Sequence, residues 1–219
     1  AEDEEELANV INGHSPTAMA KAAKHIKCPF IHLSTDYVFD GYEKGPKSED
    51  HAVNPLNAYG RSKLLGEVGI LKSNCIFLIL RTSWVFSSYG NNFVKNILNA
   101  SNDNKTLKIV YDQIGGPTSA KSIARAIVAI SYKLLDDSSL KGIYHFSGIP
   151  DVSWSSFAEA IFQDKGEVQI KKIKTLDYGS RVERPLDSCL DCSKIEKKFG
   201  ITRPFWKDDL KKVLKELRG

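Results

Sequence analysis

Apolar positions recur along much of the chain with the spacing of helices that bury one face. This spacing predicts helices over Glu4–Lys27, Leu56–Leu71, Phe93–Ala100, Ile123–Leu135, 153–162 and Trp206–Leu217. Within the first of these helices, Pro16 disfavours helical backbone in the residue that precedes it. We therefore expect a bend or a restart of the helix at His14–Pro16.

Short runs rich in β-branched and apolar residues alternate with these helices. They predict strands at 29–34, 75–83, Lys108–Tyr111, Gly142–Phe146 and 168–176, the last an edge strand that carries lysines. A polar loop over Asp40–Pro55 separates the first strand from the second helix. Strands and helices in this order indicate an α/β protein with a parallel sheet covered by helices. After Ser147 the pattern changes, and we expect the remainder to form a smaller lobe.

Composition and charge exclude several classes of protein. The chain has 219 residues, of which 42% are hydrophobic and 26% charged, and its net charge is +4. This length suits one domain, or one domain with a smaller appendage. Because the lysines are spread along the chain, we expect no nucleic-acid partner. The longest apolar run, at Cys75–Leu80, is too short to span a membrane, and the acidic start AEDEEELANV does not resemble a signal peptide. We therefore expect a cytoplasmic protein with no membrane partner.

Four cysteines raise the question of a metal or redox site. Cys189 and Cys192 form a C-x-x-C pair, whereas Cys28 and Cys75 stand alone. A zinc site needs two further ligands at suitable spacing, and a redox pair usually opens a helix directly after a strand. Neither context is present around Cys189, so we predict reduced thiols and no bound metal.

Polar and aromatic side chains follow two of the predicted strands where each strand ends. The first cluster is the stretch STDY at Ser34–Tyr37, and the second is RTSW at Arg81–Trp84. In an open parallel sheet, ligands bind beyond the carboxyl ends of the strands. The two clusters therefore predict a binding crevice at one edge of the sheet.

Tyr59 and Lys63 lie four residues apart on the helix between those strands, so both project from one face. A nearby ammonium favours the phenolate and lowers the pKa of a tyrosine from about 10. A hydroxyl from Thr35 could orient the phenol or a substrate oxygen. Together the three residues predict a relay that protonates a carbonyl oxygen as hydride reaches its carbon.

Seven segments, in this order, resemble dTDP-4-dehydrorhamnose reductases, which are extended short-chain dehydrogenases/reductases. The segments are HLSTDYVFDG, PLNAYGRSKLLGE, LRTSWVFSSYGNNFVKNIL, VYDQIGGPTSA, GIYHFSG, SWSSFAEAIF and RPLDSCLDCSKIEKKFGI. The resemblance implies a Rossmann-like, doubly wound parallel sheet with a smaller C-terminal substrate lobe. It places the nucleotide-binding part at 1–147, with substrate-lobe insertions near 84–120, and the substrate lobe with the last helix mainly at 148–219.

The resemblance also implies a role for individual residues. Thr35, Tyr59 and Lys63 match the catalytic hydroxyl, tyrosine and lysine, with Tyr59 as proton donor. Tyr59 and Lys63 would also hold the cofactor, NADPH or NADH, the lysine at its ribose. The residues expected to bind a dTDP-sugar substrate are Thr35, Asp36, Trp84, Asn92, Gln113 and Arg184.

At four aromatic or charged positions, a purely structural role competes with a functional one. Arg184 suits a diphosphate because its planar fork matches phosphate oxygens, but an interdomain ion pair is an equal alternative. We expect Trp154 to belong to the core of its helix and His145 to be structural. Tyr37 either lines the crevice or packs beneath it.

One feature of the family has no counterpart in these 219 residues. The resembled proteins begin with a βαβ unit whose glycine-rich loop cradles the cofactor pyrophosphate, and no G-x-x-G-x-x-G occurs here. By the resemblance, roughly sixty residues would precede Ala1. We expect this chain alone to be inactive, and its sheet to lack its central strands and expose an apolar edge.

The resemblance implies NAD(P)H-dependent reduction of dTDP-4-dehydrorhamnose to dTDP-L-rhamnose. One alternative is a non-catalytic relative similar to the regulatory subunit of methionine adenosyltransferase. Another is a reductase of a different nucleotide-linked 4-keto sugar. The sequence leaves the choice between NADH and NADPH open, and a homodimer is the default expectation for the oligomeric state.

Overall fold

Helices form where the hydrophobic spacing predicts them, in a computed structural model that describes residues 1–163 and 168–218. The α-helices are α1 Glu5–Asn9, α2 Ser15–His25, α3 Ala58–Ser73, α4 Phe93–Asp103, α5 Ala120–Asp136, α6 Trp154–Ile161, α7 Thr175–Tyr178, α8 Ser193–Phe199 and α9 Trp206–Arg218. Short 3-10 turns lie at Asp36–Val38 and Ser138–Leu140. Between α1 and α2 the chain forms a π-helical turn over Val10–His14, and Pro16 lies in the first turn of α2. The break predicted in the first helix is therefore such a turn, which lets the helix restart at proline.

The strands build one parallel sheet and several strand pairs. They are β1 Phe30–Thr35, β2 Phe77–Thr82, β3 Val85–Phe86, β4 Thr106–Val110, β5 Ile114–Gly115, β6 Thr118–Ser119, β7 Gly142–His145, β8 Val152–Ser153 and β9 Gln169–Ile173. In the described part of the chain, the parallel sheet has the order β1-β2-β7. The remaining pairs are β3 with β6, β4 with β9 and β5 with β8.

Helices cover both faces of the sheet, as a doubly wound fold requires. On one face, alternate residues of β2 pack against Ala20 of α2 and Ile70 of α3. On the other face, Leu78 and Leu80 of β2 pack against α5 and α8. Every residue of β2 is buried, because a central parallel strand is covered on both sides. The predicted α/β class with a parallel sheet is confirmed.

A second hydrophobic core lies beside the sheet and gathers segments that are far apart in the sequence. It contains side chains from α4, β4, α6 and α9, with Phe157 and Trp206 among the most buried. The sheet core in turn includes Ile195 and Phe199 of α8, which follow the predicted boundary at 147. The two cores therefore alternate along the chain instead of following one another.

Two glycines let α3 approach its neighbours closely. A Cβ atom on Gly66 would lie 2.1 Å from the carbonyl oxygen of Asn12, and one on Gly60 would lie 2.2 Å from that of Tyr37. Glycine at these positions lets backbone pack against backbone. The N-terminal turn of α3, which carries Tyr59, is thereby held against the 3-10 turn after β1.

Within the described residues, no helix is long and apolar enough to cross a membrane. Cys189 and Cys192 are buried free thiols, and burial raises the pKa of both. Among the same residues there is no group of three or more His, Cys, Asp or Glu side chains that could hold a metal ion.

A buried ion pair joins α3 to β2. The Arg81 guanidinium donates to both carboxylate oxygens of Glu67, at 3.0 Å and 2.6 Å. The two side chains are 3% and 1% exposed, so the pair lies almost wholly out of water. Arg81 also lies 3.4 Å from Nε2 of His145 and over the ring of Phe39. This pair connects the helix of Tyr59 and Lys63 to the strand that leads to Trp84.

We predict that Glu67→Gln destabilises the complete gene product by about 3–5 kcal/mol, because it leaves the Arg81 charge buried without its counterion. Glu5 forms a similar two-oxygen pair with Arg61, but at the surface. Urea denaturation should therefore show a much smaller shift for Glu5→Gln, since water screens that pair. Equal midpoints for the two variants would contradict a structural role for the buried pair.

Candidate active site

A cavity of about 510 Å³ opens beyond the carboxyl ends of β1 and β2. The two polar clusters that follow those strands meet at this cavity, as the parallel register of β1 and β2 requires. Its lining consists of Leu33, Ser34, Thr35, Asp36, Tyr37, Tyr59, Lys63, Thr82, Trp84, Val85, Ala120, Ile123, Ala124, Ile127 and Trp154. We call it the first cavity.

Tyr59 stands at the mouth of the first cavity with a raised pKa. Solvent reaches 39% of the residue, yet the protein packed around the phenol disfavours its charged form and raises its pKa above 10. The nearby Thr35 hydroxyl lowers this pKa, and the Asp36 carboxylate raises it further. The ring of Tyr37 packs edge-on against that of Tyr59, with 5.8 Å between centroids. Tyr59 is thus held as a protonated phenol beside two polar side chains.

Lys63 turns its ammonium toward β1. Nζ donates to the carbonyl oxygen of Leu33 at 2.6 Å and lies 3.4 Å from Nε2 of His32. Burial lowers the pKa of Lys63, while the charge of Glu67 acts in the opposite direction. Burial, with the Lys63 charge as a second cause, also lowers the pKa of His32 to about 4. The sequence predicts that Lys63 lowers the pKa of Tyr59, whereas in the structure burial raises this pKa and the group that lowers it is the Thr35 hydroxyl.

The floor of the first cavity contains buried polar atoms that have no partner in the described residues. By distance and angle they are Oγ of Ser34, Oδ2 of Asp36 and Oγ1 of Thr82, and the Ser188 hydroxyl lies close enough to the Asp36 carboxyl to lower its pKa. The Thr35 hydroxyl donates to the other Asp36 oxygen, Oδ1, at 3.0 Å. Burial raises the pKa of Asp36 to about 6. Such groups are normally hydrogen-bonded, so this floor suits a ligand with several hydroxyl or carbonyl groups.

A second cavity, of about 520 Å³, adjoins the first. Its lining consists of Tyr37, Phe93, Asn96, Ile97, Ala100, Leu107, Lys108, Ile109, Val110, Gln113, Trp154, Tyr178 and Arg184. Gln113 is buried and donates to the Thr175 hydroxyl at 3.1 Å. Among the described residues, Arg184 has no carboxylate within salt-bridge distance. Burial raises the pKa of the Tyr37 phenol, and the charge and hydrogen bond of Arg184 act in the opposite direction. Two cations, Arg184 and Lys108, therefore face this second cavity.

Some predicted site residues have other roles in the structure. Asn92 caps α4 by accepting from the Lys95 amide, and its Nδ2 donates to the carbonyls of Ser87 and Tyr89. Asn92 lines neither cavity, because the cap uses its side chain. His145 is fully buried, with Nδ1 3.0 Å from the Lys47 carbonyl, as expected for a structural residue.

Trp154 packs against the second core, in line with the expectation of a core residue, and it also lines the cavities. It is the first residue of α6 and is only partly buried, with its ring in contact with Trp84 and Phe93. Tyr37 and Trp154 each line both cavities. Spacing along α6 could not show this, because the exposure of Trp154 depends on where β2 ends and α4 begins. Lys108 and Tyr178 were also missed, and nothing in their sequence context separates them from ordinary surface residues.

Several known proteins resemble this chain over nearly its whole length. The profile of the family described as RmlD substrate binding domain matches residues 1–218. A dTDP-4-dehydrorhamnose reductase of Sinorhizobium fredii is 42% identical over 98% of this chain and 75% of its own length. A crystal structure of a dTDP-4-dehydrorhamnose reductase from Clostridium acetobutylicum has a TM-score of 0.92 at 35% identity, covering 100% of this chain and 76% of that one. The Bacillus anthracis reductase in complex with NADP has a TM-score of 0.90 at 33% identity, covering 99% and 75%.

We predict that the contribution of Asp36 to stability is lost as the pH rises. Because the folded protein raises the pKa of this carboxyl from 3.8 to about 6, folding favours its protonated form. This contribution is fully present below pH about 4 and is lost as the pH rises through about 6. The free energy of unfolding that is lost in this way is about 3 kcal/mol. Denaturation of the complete gene product and of its Asp36→Asn variant should therefore differ by an amount that changes between pH 4 and 7. A difference independent of pH would show that Asp36 has an ordinary pKa.

Proposed function

The chain belongs to the RmlD substrate-binding domain family, and on that premise we propose that it serves the NAD(P)H-dependent reduction of dTDP-4-dehydrorhamnose to dTDP-L-rhamnose. The observation that supports this most is the placement of the Tyr59 phenol beside Thr35, in a cavity lined by polar groups without partners among the described residues. The same arrangement supports an enzyme over a purely regulatory subunit, which would not need an acid there.

Tyr59 acts as the general acid. Its hydroxyl proton passes to the ketone oxygen of the sugar as hydride bonds to the ketone carbon, so that a secondary alcohol forms. The raised pKa keeps the proton on Tyr59 until the carbonyl oxygen becomes basic. The Thr35 hydroxyl favours the phenolate that remains, and solvent at the cavity mouth returns the proton.

The first cavity has groups that fit the reactive end of a nicotinamide cofactor. Leu33, Ala124 and Ile127 provide an apolar wall, and the hydroxyls of Ser34 and Thr82 have free hydrogen-bonding capacity. When bound, NADPH or NADH supplies the hydride. Tyr59 and the ammonium of Lys63 hold its ribose, since an ammonium has three donors and Leu33 accepts one. The NADP complex of the Bacillus anthracis relative favours NADPH as the cofactor.

The two cavities together fit a nucleotide sugar. The sugar lies in the first cavity against Thr35, Asp36 and Trp84, where ring hydroxyls satisfy the polar floor. The dTDP part lies in the second cavity, where Arg184 pairs with the diphosphate and Gln113 lines the wall. Asn92 is left out of this proposal because its side chain caps α4.

The cellular setting follows from this activity. Nucleotide sugars and reduced nicotinamide cofactors are soluble metabolites, so we propose a cytoplasmic enzyme. A reductase of another nucleotide-linked 4-keto sugar is the second candidate, because the unpartnered hydroxyls of the floor do not themselves select one sugar. The homodimer stays a prediction.

We predict that Tyr59→Phe lowers kcat of the complete gene product by about 10²–10⁴-fold with dTDP-4-dehydrorhamnose, because the variant has no proton to donate. Oxidation of NADPH and NADH is followed by absorbance. Tyr132→Phe, which changes an exposed tyrosine of α5 outside both cavities, is the matched control. Full turnover in Tyr59→Phe would remove Tyr59 from the mechanism. A folded wild type that binds cofactor but does not turn over would favour another sugar or the regulatory alternative.

We predict that Arg184→Ala raises KM for the sugar nucleotide about tenfold or more and leaves KM for NADPH unchanged. The reason is that a charge-assisted bond to a phosphate contributes about 1.5–3 kcal/mol. Arg181→Ala, three residues away and exposed, lines neither cavity and serves as the control. If Arg184 is instead an interdomain anchor, the variant will lower the unfolding temperature and leave KM as it was.

A further inference from the structure

Trp84 has an unusual backbone conformation for a buried aromatic residue. Its φ is +47°, in the left-handed region that bulky side chains rarely adopt. Among the described residues other than glycine, only Lys27 and Asn74 share a positive φ, and both are exposed residues that follow the ends of helices. Trp84 is 9% exposed and follows β2 at the first cavity. Such conformations persist only where the surroundings determine them, and they concentrate at functional sites.

Two contacts hold the Trp84 indole in this conformation. The ring of Trp154 stacks on it with 3.6 Å between centroids and 6° between planes. Gly115 packs against the ring near Nε1 and Cε2, and a Cβ atom there would lie 2.6 Å from Cε2. The pairing of β5 with β8 brings both contacts together, because Gly115 pairs with Val152, two residues before Trp154.

Trp154 is itself firmly placed. It opens α6 directly after Ser153, whose hydroxyl accepts from the Ser156 amide and caps the helix. The ring of Phe93 also packs against the Trp154 ring, with 4.4 Å between the two centroids. A helix terminus held in this way can position an aromatic ring more reproducibly than a loop.

We propose that Trp154 is a positioning residue of the proposed reductase: it acts through Trp84, whose indole it fixes as the wall of the first cavity. This inference rests on the proposed function, in which Trp84 contacts the sugar. Trp154 also lines both cavities, so the same ring marks the point where the sugar ends and the nucleotide begins. A displaced Trp84 would let the sugar ring turn away from Tyr59, and such misplacement slows a reaction without removing any catalytic group.

The test displaces Trp84 from two directions in the complete gene product. Trp154→Ala removes the stacked ring, and Trp154→Phe keeps an aromatic face. Gly115→Ala pushes the indole from the other contact, and Gly115 lines neither cavity. We expect Trp154→Ala and Gly115→Ala to lower kcat with dTDP-4-dehydrorhamnose about 10²-fold, with KM for NADPH unchanged and a smaller loss for Trp154→Phe. Gly115→Ala should leave the affinity for dTDP, measured by calorimetry, at the wild-type value.

Near-ultraviolet circular dichroism follows the stacked pair without turnover. The chain has three tryptophans, and the third, Trp206, lies in the second core. We expect Gly115→Ala, which keeps all three tryptophans, to change the signal of the stacked pair, and Trp206→Phe to keep it. Far-ultraviolet spectra identify any variant that fails to fold, in which case Trp154→Phe carries the test.

The outcomes separate this inference from the proposed function. An active wild type with unchanged kcat in Trp154→Ala and Gly115→Ala overturns the positioning role and leaves the reductase assignment intact. Loss of dTDP affinity alone in Trp154→Ala also overturns it, since Trp154 would then be a nucleotide contact. If the wild type does not reduce the sugar, the proposed function fails. The spectrum of Gly115→Ala then decides: a changed signal of the stacked pair supports the placement of Trp84 against Trp154, and an unchanged signal refutes it.

Discussion

The ion pair between Glu67 and Arg81 joins the two halves of the first cavity. Glu67 lies on the helix that carries Tyr59 and Lys63, and Arg81 lies one residue before the floor residue Thr82. Both side chains are buried, and two short hydrogen bonds join the Arg81 guanidinium to the two carboxylate oxygens of Glu67. A buried pair of this kind contributes little net stability relative to an apolar pair, because both charges lose their hydration. Its effect is on geometry. The pair fixes the position of α3 on the sheet, and that position places the Tyr59 phenol at the end of β1.

The two cores explain how the cavities come to adjoin. The sheet core supports β1, β2 and α3, which supply the polar floor, and the second core supports α4, α6 and β4, which supply the walls of the second cavity. Because the chain passes between the cores several times, neither cavity is built from one continuous segment. Aromatic rings lie where the two cavities meet. Trp84, which follows β2, stacks there on Trp154, which begins α6. A ligand with a sugar and a nucleotide end needs two such adjoining chambers.

Local sequence patterns predicted the helices and strands, whereas the roles of several side chains depend on tertiary contacts that the sequence does not show. The buried runs at β1 and β2 and the i, i+4 pair of Tyr59 and Lys63 were readable because strand ends and helix faces follow from spacing alone. The role of Asn92 as a helix cap was also encoded locally, but the resemblance to known reductases drew attention to binding instead. Trp154 could not be assigned, because its exposure depends on where Trp84, seventy residues earlier, leaves the sheet. The Glu67–Arg81 pair was missed for the same reason. A charged residue on the buried face of a helix can be explained only when its partner on another element is known.

The electrostatics of the first cavity suit the proposed role of Tyr59 as a proton donor. Burial raises the pKa of Tyr59, and the neighbouring Asp36 carboxylate, ionised above a pKa of about 6, raises it further. A phenol in this setting is a poor base at rest and keeps the proton that a reduction consumes. The ammonium of Lys63 donates to the Leu33 carbonyl, and the pKa of Tyr59 is set by burial, by the Thr35 hydroxyl and by the Asp36 carboxylate. The site is therefore arranged to release a proton on demand, which is what addition of hydride to a ketone requires.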